Sequence, residues 1–365
     1  MTYWNREQLF ADGSYRVIGA EGDVQQICYA GESFQGQATE VFAYLGIPKR
    51  DTPVPGMVCV HGGGGRAFAE WVEMWVDRGY AAIAMDLSGR GVAGERLHNG
   101  GPEQDHPAKF GVDLDWENMW TYHAVASVIR GHSILRNLSE VSDAVGVTGI
   151  SWGGYVTSLV AGVDTRFACA VPVYGCGFLQ DNSADDWLTT FDKMTPERRA
   201  WWHDYCDPSV YLPEAKMPMC FVTGTNDFAY PMDSLQKSYR LPQGDVSLSI
   251  RLEMAHGHQP GWSEPDIALF ADQHCKNGIP LPVIGKMALA GTRVSATFES
   301  HTPVTKGELI YTCENDKWQD RKWYAMEAVL SAGEISAVVP DGCTVCYLAV
   351  GDNRGAYVSA PHIER

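Results

Sequence analysis

Short apolar runs separated by stretches with helical spacing dominate the first 280 residues. Residues 22–48 alternate between apolar and polar positions, which predicts an antiparallel pair of strands with one buried face. Residues 57–60 are apolar and run straight into glycines, and further apolar runs fall at 80–86, 144–148, 168–174, 219–223 and 248–254. Between them lie helical patterns, one holding Trp71, Met74 and Trp75 and another over 116–137. Continuous rather than alternating apolar runs mark strands covered on both faces, so the order predicts a mainly parallel sheet with helices on either side. Residues 176–213 fall between two of these strands, carry seven aromatic residues and are too long for a simple loop; they predict a helical cap.

The pattern changes after residue 280. In Ile279-Pro-Leu-Pro282 each proline fixes φ and removes a donor, which predicts a stiff connection. Beyond it, short runs at 294–298, 323–329 and 343–350 are split by turn signals at 306–307, 340–342 and 351–355, the signature of an all-β sandwich. The expected fold class is therefore α/β, with an α/β unit over residues 1–280 and a β-sandwich over 281–365, and a length of 365 agrees with two domains. The sandwich is open to three roles: binding module, support for the first unit, or dimer contact.

Charge narrows the partners. Lys and Arg number 28 against 45 Asp and Glu, a net charge of −17 that repels nucleic acid and anionic membrane. No apolar run approaches the roughly 18 to 20 residues of a membrane helix. Twelve Trp and 16 Tyr are many for so acidic a chain, and exposed rings of this kind can form platforms for sugars. Ten cysteines are scattered singly, which reads as buried thiols. Cys343 and Cys346 form C-x-x-C, but on a strand a three-residue offset would put them on opposite faces. The first residues show no basic segment followed by an apolar stretch, so the expected compartment is the cytoplasm.

The sharpest local signal is Gly149-Ile-Ser151-Trp-Gly153, directly after a strand and before a helical pattern. In G-x-S-x-G the chain reverses so tightly that side chains at the flanking positions would clash, while the serine is thrust out over the sheet edge. A serine hydroxyl needs a base, and the base needs an acid. Asp227 ends the strand at 219–223 and is the expected acid, ahead of Asn226 and Asp233. His256 and His258 follow the last strand; His256 is the favoured base, with His258 as the alternative. The pair lacks the further ligands of a metal site, so no metal is expected. Oxyanion donors are expected from the backbone N–H of Trp152 and from the loop His61-Gly-Gly-Gly-Gly65, at Gly63 or Gly64. That loop also fits a dinucleotide fingerprint, with Asp86 as the ribose acid. An antiparallel pair precedes it, however, and a cofactor reading leaves Ser151, Asp227 and His256 unexplained, so no cofactor is expected.

His61-Gly-Gly-Gly-Gly65, Gly149-Ile-Ser-Trp-Gly-Gly154, Gly224-Thr-Asn-Asp227 and His256-Gly-His258 occur in that order. Together they resemble the α/β-hydrolase superfamily, nearest its acetyl xylan esterase and dienelactone hydrolase-like branch, over residues 20–280. The resemblance implies a serine carboxylic-ester hydrolase, one that removes acetyl groups from sugars being the leading case. Where true dienelactone hydrolases carry a cysteine, this chain has Ser151. Trp187, Trp201 and Trp202 of the cap, with Trp152, Trp262 and His258, are the expected substrate-binding residues. Asp181, Asp185 and Asp186 point to a neutral substrate. An insertion at 92–114, with Arg96, His98, Asp105 and His106, is the expected second wall. The expected partner is a small-molecule ester, an acylated sugar among the candidates, with a homo-oligomer left open. A peptidase or lactonase of the same fold, and an inactive carbohydrate-binding or scaffolding protein, are the competing readings.

Overall fold

The computed structural model describes residues 3–111 and 115–365. Nine strands form one sheet: β1 (Arg16–Glu21), β2 (Val24–Ala30), β3 (Glu40–Gly46), β4 (Val54–Val60), β5 (Ala81–Met85), β6 (Val141–Ile150), β7 (Cys169–Val173), β8 (Met219–Gly224) and β9 (Val246–Arg251), in the order β1-β2-β3-β5-β4-β6-β7-β8-β9. The strands from β5 through β4 to β9 are parallel, and β1, β2 and β3 add an antiparallel edge. The parallel strands are nearly all buried residues, as strands covered on both faces must be.

The helices are α1 (Arg6–Ala11), α2 (Ala69–Asp77), α3 (His106–Phe110), α4 (Trp120–Arg136), α5 (Trp152–Val163), α6 (Asp185–Asp192), α7 (Pro196–Cys206), α8 (Met232–Ser238), α9 (His258–Trp262) and α10 (Pro265–Cys275). Helices α4 and α5 cover one face of the sheet, and α2 and α10 the other. Helix α4 is buried from Trp120 through Leu135, and the polar side chains it encloses find partners inside the fold, Arg130 pairing with Asp12 and Glu32. Its His132 is paired with Asp164 at 2.8 Å, both side chains out of solvent. Helices α6 and α7 form the cap.

Register places the loops that matter. Val60 pairs with Gly149, so the chain leaving β4 and the chain leaving β6 emerge side by side. Gly224 pairs with Arg251, so the loops after β8 and β9 emerge together at the same end of the sheet.

After residue 282 the chain builds two antiparallel sheets. One contains Val283–Ile284, Ala288–Ala290, Arg293–Glu299, Val329–Ser331 and Glu334–Val338. The other contains Val304–Thr312, Tyr324–Glu327, Val345–Asp352, Tyr357–Ser359 and Ile363–Glu364. The second sheet lies between the first and the nine-stranded unit. Along its strand Val345–Asp352 every residue is buried; Tyr347 and Ala349 join the main apolar core, while Cys346, Leu348 and Val350 fill the sandwich interior. This is the two-residue period of a strand with cover on both sides. The connection at 279–282 is tied down, since the Arg354 guanidinium donates to the carbonyls of Ile279 and Pro280 at 2.7 Å each.

Three sequence expectations change. Cys343 precedes its strand rather than lying on it, and it shares the sandwich interior with Cys346 instead of facing away. The run 323–329 is two strands in different sheets, broken at the buried Ala328. The antiparallel edge has three strands rather than two; β1 is exposed at five of its six positions, and its adjacent Val17 and Ile18 break the alternation that would mark a buried face.

Candidate active site

Ser151 sits between β6 and α5 with φ 58° and ψ −117°, a left-handed conformation rare for a residue with a side chain. Its N–H donates to Val173 O at 2.9 Å, pinning the turn to β7. The glycines around it are sterically obligatory. A Cβ on Gly149 would lie 2.2 Å from Gly153 O, one on Gly153 1.9 Å from Val60 O, and one on Gly154 2.4 Å from Val173 O. The turn thus presses β4, β6 and β7 together and holds the serine hydroxyl out at the sheet edge.

His256 Nε2 lies 2.9 Å from Ser151 Oγ, and His256 Nδ1 lies 2.6 Å from Asp227 Oδ2. Asp227 is 2% exposed, and its other oxygen accepts the backbone N–H groups of Ala229 at 3.0 Å and Tyr230 at 2.7 Å. With both oxygens engaged, the carboxylate is fixed in the orientation that receives His256 Nδ1–H. The imidazole is held from one side by Tyr174, whose ring stacks on it at 4.4 Å and whose hydroxyl donates to Ala255 O at 2.7 Å. Serine, imidazole and carboxylate therefore form one hydrogen-bonded line along which a proton can leave Oγ.

The glycine loop is gripped at Gly62. His61 Nε2 accepts the N–H of Leu87 at 2.8 Å, so His61 Nδ1 carries the proton and donates to Gly62 O at 2.8 Å. The Gly62 N–H donates to His258 Nε2 at 2.9 Å. Burial holds both imidazoles in the neutral form this requires, pushing His61 below its ordinary value and His258 to about 4, with the neighbouring His61 and His256 adding to the shift at His258. Among the described residues no hydrogen bond occupies the backbone N–H of Gly63, Gly64 or Trp152.

The structure brings Ser151, His256 and Asp227 together, sets Gly62 and Gly63 of the glycine loop against Ser151 and Trp152, and places His258 on the glycine loop rather than on the serine. The expected aromatic platform is differently built. Trp202 is fully buried, stacks on Phe110 at 5.7 Å and donates to Lys109 O at 2.9 Å, so it packs the cap and does not reach a ligand. Trp201 stacks on Tyr205 at 4.7 Å. Trp152 and Trp187, 4% and 8% exposed, pack on each other at 4.5 Å behind the serine. Trp262 leans on Phe68 and Trp71 at 5.2 and 5.1 Å and backs His258. The acids of the cap also change meaning: Asp181 is paired with Lys237 and Asp185 with Lys317, so these two set no negative field over the site.

The insertion at 92–114 packs Phe110 against Trp152 at 5.8 Å, and residues 112–114 lie outside the described residues. Arg96 donates to the carbonyls of Ser88, Gly89, Gly100 and Gly101, which makes it a brace. Asp105 caps α3 through the Ala108 N–H, His106 meets Thr190 of the cap at 2.7 Å, and His98 is exposed.

Two residues at the site were not foreseen. Phe228, 57% exposed, has its ring 4.8 Å from His256; its place directly after the acid was the available signal. Lys109 holds its ammonium 4.6 Å from the Trp152 ring, and burial pushes it down to about 8.

A model of the dienelactone hydrolase family matches residues 41–259. No curated protein matches the sequence. Among solved structures, an acetyl xylan esterase from a Paenibacillus species superposes with a TM-score of 0.62 at 18% identity, covering 74% of this chain and 92% of that one. Acetyl xylan esterase 1 from a Thermoanaerobacterium species gives 0.60 at 17% identity, covering 73% and 92%. The acylaminoacyl peptidase of Pyrococcus horikoshii gives 0.53 at 20% identity, covering 70% of this chain and 42% of that one. These likenesses establish the α/β-hydrolase fold, with the additional antiparallel sheets at the C-terminal end.

Proposed function

This chain belongs to the dienelactone hydrolase family and is a hydrolase of the α/β-hydrolase type, and from that premise we propose that it cleaves carboxylic esters of short acyl groups through an acyl-enzyme on Ser151. The observation that carries the reading is the unbroken line of hydrogen bonds from Ser151 Oγ through His256 to Asp227, at 2.9 and 2.6 Å.

In this mechanism Ser151 Oγ attacks the ester carbonyl carbon while His256 Nε2 takes the hydroxyl proton. Negative charge gathers on the former carbonyl oxygen and is met by the N–H groups of Trp152 and of Gly63 or Gly64. Asp227 holds the imidazole with its proton on Nδ1 and stabilises the imidazolium. Collapse of the tetrahedral adduct breaks the bond to the alcohol oxygen, which leaves with the proton from His256. Water then attacks the acyl-serine, gives a proton to His256, and the acid departs as Oγ recovers its hydrogen.

The packed rings of Trp152 and Trp187 behind the serine favour a short acyl group. Acetyl esters of sugars are the leading substrate class, supported by the two acetyl xylan esterases that share the fold over 92% of their length. A fluorophosphonate probe and a panel of acetyl, butyryl and peptide substrates test the reading. Wild type should be labelled and hydrolyse acetyl esters fastest, and Ser151→Ala should lose both labelling and turnover. A wild-type protein that is neither labelled nor active on any ester rules the proposal out, and cleavage of peptides alone reassigns it to peptidases.

A further inference from the structure

Far from Ser151 the molecule holds a cavity of about 820 Å³ between the edge strand β9, helix α10 and the two C-terminal sheets. Its volume lies in the range of small-ligand sites, roughly 300–1,000 Å³. It opens on the start of β9, at Val246, Ser247 and Leu248, and on Pro218 just before β8. Asp227 and His256 leave the opposite ends of those same strands, so the length of the sheet separates the cavity from the serine.

Much of the wall is apolar, with Leu248, Phe270, Ile284, Met287 and Val358 among its residues. Set into it are polar groups that the fold leaves unmatched. His362, 3% exposed, has a hydrogen-bond partner on neither ring nitrogen, its nearest acid being Glu364 at 4.0 Å. His274 Nε2 is likewise buried and unmatched. Buried polar groups without partners are rare in folded proteins, and two histidines with unmatched ring nitrogens border this one cavity. Burial holds His362 neutral, pushing it down to about 3.

Charge selects the ligand further. Arg240 and Lys286 line the cavity, both exposed, and neither has an ion pair or side-chain hydrogen bond among the described residues. Asp245 is the one acid on the wall. In a chain of net charge −17, two uncommitted cations beside an apolar cavity are a local reversal of sign.

We propose that this cavity is a second binding site, separate from the ester-cleaving one, for an amphipathic carboxylate: an apolar body against Leu248, Phe270 and Met287, and a carboxylate paired with Arg240 and Lys286. Because its walls come from both the nine-stranded unit and the C-terminal sheets, an occupant joins them and stabilises the whole chain by mass action.

Decanoate and 1-decanol serve as probes, titrated calorimetrically below their aggregation limits into full-length protein whose Ser151 has first been blocked with a fluorophosphonate. Blocked protein should take up one decanoate per chain and bind decanol at least tenfold more weakly. The double variant Arg240→Gln, Lys286→Gln, changed only at exposed positions, should lose tenfold or more in decanoate affinity with decanol binding unchanged. Ile284→Trp, which fills the cavity, should abolish binding of both probes while hydrolysis of acetyl esters by the unblocked enzyme stays at the wild-type rate. Absence of decanoate binding overturns the proposal, as does binding that survives both sets of substitutions or falls equally for acid and alcohol in the charge variant.

Discussion

At position 258 a histidine that never reaches the serine grips the loop that faces it. His256 and His258 are two residues apart, yet one reaches Ser151 Oγ at 2.9 Å and the other accepts the Gly62 N–H at 2.9 Å. Removing His256 takes away the base, and turnover of a 4-nitrophenyl ester should fall by about 10⁴ or more. On the proposed mechanism, removing His258 leaves the base in place and frees Gly62, so the proposed oxyanion donors at Gly63 and Gly64 lose their fixed position. For His258→Ala, kcat should drop by about 10²-fold with little change in KM, since these donors act on charge that develops only in the transition state. Steady-state kinetics of the two variants separate the roles, and equal losses would show that His258 does more than hold the loop. That Ser151, Asp227 and His256 meet was legible in the sequence because each falls where a strand runs out. The task of His258 was not, because it depends on a contact across 196 positions of chain.

The element that carries the site is the turn between β6 and α5. Its glycines are required for a steric reason that sequence spacing conveys well, since the clash partners are backbone atoms that cannot step aside. Gly153→Ala would drive a methyl group to 1.9 Å from Val60 O, and urea unfolding should show a loss on the order of 4 kcal/mol or more. Gly64→Ala meets no atom within 4 Å and strains only a φ of 68°, for a cost of about 1–2 kcal/mol. Similar losses at the two positions would mean that the turn is not held as tightly as its geometry requires. Other elements were harder to read. Helix α9, His258–Trp262, went unforeseen because it is one short turn broken up by Pro260 and Gly261. The 323–329 run looked like one strand because a chain that changes sheets at Ala328 keeps its apolar pattern on both sides of the bend.

For the whole molecule the division at residue 280, read from the change of pattern, understates how far the two parts share a core. Ile310, Trp323, Val345 and Tyr347 belong to the same apolar cluster as the nine-stranded sheet. Asp266 of α10, wholly buried, accepts from Ser249 Oγ at 2.7 Å, from the Tyr357 N–H at 2.6 Å and from the Arg251 guanidinium, which ties helix, edge strand and C-terminal sheet at one carboxylate. A shared core predicts a single cooperative unfolding transition, so differential scanning calorimetry should give one peak, and two resolved peaks would show independent units. The alternation along Val345–Asp352 was visible in the sequence as a strand. Which layers cover its two faces was not, because a long apolar run does not say what packs against it.

Asn226, the neighbour of Asp227, sends its side-chain amide to the carbonyls of Gln319 at 3.1 Å and Arg321 at 2.6 Å. The loop that holds the acid is therefore moored to a stretch of chain made much later in synthesis. A ribosome delivers residues in order, so a nascent chain that has finished β9 and His256 carries every reactive group before it owns the anchor for Asp227 or the sheet that covers its flank. The loop that carries Asp227 gains this mooring only once residues 319–321 have been made and have folded back onto it.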